Sequence, residues 1–82
     1  MKTYVIVNYE GSYFPGLVIR VKKTTYKVSC MIKSGPDTWK WPDKKDVCEY
    51  DPTEIEEIIK APQMINSRGQ YIVPEADKFW KG

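Results

Sequence analysis

The chain has 82 residues, 41% hydrophobic and 29% charged, which predicts one folded domain and is too apolar for a disordered segment. Thirteen Lys and Arg against eleven Asp and Glu leave a net charge of +2, too little to name nucleic acid as a partner. Histidine is absent, which removes the usual general base, the commonest metal ligand and the usual pH switch together.

The opening Met1–Asn8 has a lone Lys2 and a short apolar stretch broken by Asn8, which does not fit a signal peptide. No apolar run approaches the roughly 18 residues a membrane helix needs. An intracellular protein without membrane contact is the expectation.

Tyr4 to Tyr9 is β-branched and aromatic and predicts a strand. Glu10-Gly11-Ser12 is a turn in which Gly11 takes positive φ without a Cβ clash. From Phe14 to Lys22 the chain alternates, with Leu17, Ile19 and Val21 on one face and Val18, Arg20 and Lys22 on the other. After the polar link Lys23-Thr24-Thr25, the residues Tyr26, Val28, Cys30 and Ile32 alternate with Lys27, Ser29, Met31 and Lys33. Two such runs across a tight connection predict an antiparallel meander with one buried face.

Ser34-Gly35-Pro36-Asp37 is a loop by composition. In an extended Thr38–Pro42, Trp39 and Trp41 fall on the same side, two residues apart. Asp46 to Tyr50 reads as a short strand. Asp51-Pro52-Thr53-Glu54 has capping-box spacing with Pro at the first helical position, and Ile55, Ile58 and Ile59 follow at i, i+3, i+4, so a helix ending at Pro62 is predicted. Beyond it, Asn66–Gly69 suggests a hairpin and Tyr71–Val73 a strand. Four or five short strands and one short helix predict a mainly β fold, a small SH3-like barrel over residues 1–62 with a closing helix. Residues 63–82 form an extension, read as a hairpin packed on the barrel.

Charge is uneven along the chain. Residues 1–45 carry nine Lys and Arg and three Asp and Glu (+6), whereas residues 46–82 carry four and eight (−4). A barrel interleaves distant segments and mixes these signs, so a solvated mixed surface is favoured over a basic patch.

Cys30 and Cys48 lack the His partners and C-x-x-C spacing of a zinc site, and the reading is two structural thiols with no metal and no cofactor. Glu54, Glu56 and Glu57 fit the wet face opposite the isoleucines rather than a catalytic pair. The serines have no imidazole to activate them. The expectation is a binder, not an enzyme.

Eleven aromatic residues are the feature to weigh. Tyr9 closes the first strand, Phe14 opens the second, and Trp39 and Trp41 follow the third; converging at one rim, these rings would attract methylated ammonium or guanidinium groups, with Asp37 or Asp43 as countercharge. A competing reading packs the tryptophans in the core. An alternative ligand is nucleic acid, with Arg20, Lys22, Lys23, Lys27 and Lys33 on phosphates. A plainer alternative is docking or self-association through the apolar tail Tyr71–Trp80.

The run Tyr9-Glu10-Gly11-Ser12-Tyr13-Phe14-Pro15-Gly16-Leu17-Val18 resembles the start of a Tudor-like domain, where an aromatic closes the first strand and an aromatic-Pro-small triplet opens the second. Tyr26-Lys27-Val28-Ser29 is similar to that family's third strand, and Asp46 to Ile59 to its last strand and closing helical turn. The resemblance covers about residues 4–60 and implies a chromatin-type reader in a nuclear assembly, binding a protein partner such as a histone-like methylated tail. Cage positions map onto Tyr9 and Phe14; the family's acidic-aromatic-Gly step after the third strand is replaced here by Ile32-Lys33-Ser34-Gly35. Trp39-Lys40-Trp41-Pro42 and Ser67-Arg68-Gly69 are also similar to terminal segments of transposon-derived animal proteins of unknown role.

Overall fold

In a computed structural model, which describes residues 2–77, strands β1 (Thr3–Tyr9) and β2 (Ser12–Val21) pair from Thr3 opposite Val18 to Tyr9 opposite Ser12. The two turn residues both take positive φ, Glu10 at 50° and Gly11 at 87°, the handedness that matches the twist of flanking strands in a two-residue hairpin. The Asn8 side-chain oxygen accepts the Gly11 N–H at 3.0 Å and pins the turn.

The meander continues through β3 (Tyr26–Cys30) and, after an excursion, β6 (Asp46–Tyr50). With β7 (Ile55–Ile59) on the far side of β1, the main sheet has the order β6-β3-β2-β1-β7, antiparallel throughout. Within the excursion lie β4 (Ile32–Lys33) and β5 (Trp39–Lys40); after β7 come β8 (Gln63–Met64), β9 (Gln70–Ile72) and the short helix α1 (Pro74–Asp77). These later pieces form a second sheet, β4-β5-β9-β8.

Residues 51–60 are a correction to the sequence reading. Instead of a helix, a single 3-10 turn at Pro52–Glu54 leads directly into β7. The capping box is present: the Asp51 N–H donates to Glu54 Oε1 at 2.9 Å. Three isoleucines in five residues are stiff at χ1 and favour extended backbone, and a five-residue segment fits both periodicities. Pairing with β1 decides, burying Ile59 and leaving Ile58 on the surface. Among the described residues the short α-helix is α1.

A second correction concerns the faces of β2. A bulge between Val18 and Arg20 breaks the alternation, so Val18 and Val21 share a face while Ile19 sits at the irregularity, 45% exposed.

β1 is buried on both faces, and each face has its own core. Val5 and Val7 point into a cluster with Val28, Cys30 and Tyr50. Ile6 points the other way, into a cluster with Met31, Trp39, Ile59, Val73 and Ala76. The second sheet and α1 therefore cover what would otherwise be the outer face of the main sheet.

The main sheet must curl. Laid flat, its edge strands would be about 19 Å apart, at ~4.8 Å per neighbour. The link between them, residues 51–54, is mostly 3-10 turn and spans only about 13 Å. Curling gives the main sheet a concave face.

Candidate functional site

One end of the concavity is a pocket of about 280 Å³. The β1–β2 hairpin supplies Tyr9 and Phe14, and the ends of β3 and β6 supply Cys30, Asp46, Cys48 and Tyr50, with Met31 and Ile32 completing the wall. Register explains the convergence: Val7 faces Phe14, Gly16 faces Cys30, and Cys30 faces Asp46 across successive strands.

Tyr9 is 48% exposed and Phe14 half-buried, so both rings line the pocket at its open side. The Glu10 carboxylate, by a hydrogen bond and by its charge, raises the Tyr9 phenol above its ordinary value. Asp46 is exposed at the lip and brings a carboxylate beside the rings. At the floor, Cys30 Sγ and the Tyr50 hydroxyl share a 3.3 Å hydrogen bond, which satisfies both polar atoms away from water. Burial is the main cause that raises the Tyr50 phenol.

Burial also pushes the Cys30 thiol up to about 11, against a smaller lowering by the Tyr50 hydrogen bond. Cys48 is half-buried and, like Cys30, is free of any disulfide. Alkylation by iodoacetamide at about pH 8 is therefore expected to label Cys48 on the native protein and to spare Cys30 until urea is added. Equal native labelling rates, read by mass spectrometry, would contradict this placement.

The four-ring rim expected from Tyr9, Phe14, Trp39 and Trp41 is not assembled. Trp39 is 1% exposed, locked in the cluster around Ile6, and offers no face to a ligand. It stays connected to the pocket through Phe14, which meets it edge-on at 6.2 Å and 81°. Trp41 lies beyond the end of β5, where strand alternation no longer applies, and packs edge-on against Tyr71 at 6.5 Å. It lines a separate groove with Leu17, Ile19 and Pro42; Asp43 is there too, not beside Tyr9. Cys30, Asp46, Cys48 and Tyr50 were not in the expected site, since only cross-strand register brings them to Tyr9. The apolar alternation of β3 and β6 is the one signal that could have placed them.

The five basic residues do not form one stripe. Arg20 and Lys27 are cross-strand neighbours, but Lys27 is also opposite Glu49. Lys22 Nζ lies 2.7 Å from Glu49 Oε2, and this ion pair is the main cause that lowers the Glu49 carboxyl. Lys23 is exposed near the β2–β3 connection, and Lys33 belongs to the second sheet, 4.8 Å over the Trp39 ring. Interleaving brings the acidic back half of the chain into the basic front half. Tyr71 pairs with both Trp39 and Met64, so the start of the apolar tail is built into the second sheet; Trp80 lies outside the described residues.

Among the described residues no group of three or more metal-ligating side chains occurs, and no helix is long and apolar enough to cross a membrane. Comparison of the chain with family models, curated proteins and solved structures returns no match.

Proposed function

We propose that this chain is a non-enzymatic recognition module, an SH3-like barrel of Tudor type, that takes a methylated Lys or Arg side chain of a partner peptide into the Tyr9–Phe14 pocket. The observation that carries the reading is the grouping of the exposed Tyr9 ring, the half-buried Phe14 ring and a carboxylate, Asp46, around one small concavity. Ring quadrupoles attract a cation, and methylation lowers the cost of removing it from water, so an apolar wall with one acidic lip favours such a head group over a hydrated ammonium. The short link between the edge strands β6 and β7 supports the barrel, because it draws those edges together. A pocket of about 280 Å³ suits one side chain rather than an extended ligand, so affinity for a short peptide is weak.

The test is a titration of the chain with a trimethyl-lysine peptide and its unmodified counterpart, followed by NMR of the Tyr9 and Phe14 ring protons. The methylated peptide is expected to shift those signals and to bind about tenfold more tightly. Tyr9→Ala and Asp46→Asn should each reduce affinity by roughly 1 kcal/mol or more. An equal response to both peptides, or none at the Tyr9 ring, would sink the methyl-reading proposal.

A further inference from the structure

Alongside β1, β7 forms one edge of the main sheet. Among the described residues only β1 pairs with it, with a register shift at Glu56, and the Ile55 N–H is taken by the Pro52 carbonyl, so beyond Ile55 backbone N–H and C=O groups on the outer side point away from the sheet. Alongside lies an apolar groove of about 410 Å³, lined by Val5, Val18, Val21, Tyr26, Ile55 and Ile58. Val21 is 68% and Ile58 75% exposed, unusually open for large apolar side chains in a small domain. The edge is also acidic: Asp51, Glu54, Glu56 and Glu57 occur before the first cation, Lys60.

These features select the occupant. Self-pairing centred on the strand is disfavoured, because an antiparallel second copy about Glu56 or Glu57 sets glutamate against glutamate, and only a register shifted to Ile58 avoids this. An acidic strand is disfavoured for the same reason. We infer that β7 is a docking edge for an extended basic segment of a partner protein, which adds as a further strand, seats alternate apolar side chains in the groove and turns its Lys or Arg toward Glu54 and Glu56. Backbone hydrogen bonds supply affinity in this mode, and the groove and the charges supply selection. The groove shares no lining residue with the Tyr9 pocket, so it does not depend on the reading of that pocket.

The experiment is amide and methyl NMR of the whole chain with three synthetic peptides: Lys alternating with Val, the same residues in two blocks, and Glu alternating with Val. The alternating Lys–Val peptide is expected to shift β7 amides and the Ile58 and Val21 methyls, with affinity that falls as salt rises. Glu56→Lys and Ile58→Lys change exposed positions, so melting should stay close to that of the parent, while affinity for this peptide falls by about tenfold. The inference is overturned by shifts that miss β7, by equal binding of the block or Glu–Val peptide, or by variants that bind as well as the parent. A concentration-dependent dimer with protected β7 amides would also overturn it, in favour of a second copy.

Discussion

Trp39→Ala is expected to destabilise the domain by about 3–5 kcal/mol, the range for emptying a buried large aromatic site. Trp39 is among the largest fully buried side chains, 1% exposed. It stands on β5, in the second sheet, but its cluster partners include Ile6 and Ile59 of the main sheet and Val73 and Ala76 near α1. Truncation therefore removes the largest side chain of the cluster that joins the two sheets, while β5 keeps only its backbone pairing with β4 and β9. For a domain this small, that loss is a large fraction of total stability. Urea denaturation followed by far-UV circular dichroism should show a much lower midpoint, or no cooperative transition. Phe14 rests edge-on against Trp39, so the Tyr9 pocket should loosen as well. A loss below about 1 kcal/mol would mean that the sheets are held together elsewhere.

Gly16→Ala should cost about 1–3 kcal/mol although it adds only a methyl group. A Cβ at Gly16 would lie 2.5 Å from Val28 Cγ1, 2.9 Å from the Ser29 carbonyl oxygen and 3.4 Å from Cys30 Cα. Val28 is fully buried, and the other two atoms belong to the backbone of β3, so no flexible chain end can yield. Gly16 is directly opposite Cys30, and its bare backbone permits the close approach of β2 and β3 there. Thermal melting of the variant should reveal the loss. A change within about 0.5 kcal/mol would show that β3 can move away without penalty.

The strands of the main sheet were legible where local chemistry and burial agree. Gly11 marks the first hairpin, and Tyr26, Val28 and Cys30 carry an alternation that the core uses directly. Legibility failed where two local signals were both valid. The capping box at Asp51 and Glu54 forms, yet only one turn of 3-10 helix follows it, because pairing with β1 outweighs the start signal. Strict alternation gives Ile19 a face, whereas the bulge beside Val18 is a property of strand pairing that no short window contains.

Half of the expected ring set survives at the candidate pocket. Tyr9 and Phe14 are neighbours through a hairpin, a local relation that sequence expresses well. Trp39 and Trp41 were placed together because extended backbone repeats every two residues, but β5 ends at Lys40 and the two rings part. Asp46 reaches the pocket only through the register of β3 with β6, across a connection that itself carries two strands of another sheet.

That nesting has a consequence for synthesis. The outward side of β1 is closed by Val73 and Ala76, which leave the ribosome long after Ile6 does. A nascent chain can complete its meander while one oily facet of its first strand, already met by Met31, Trp39 and Ile59, still lacks its last cover, and any product that stops short of those late residues keeps that part open. Closure of that facet therefore comes last, with the segment that carries Val73 and Ala76.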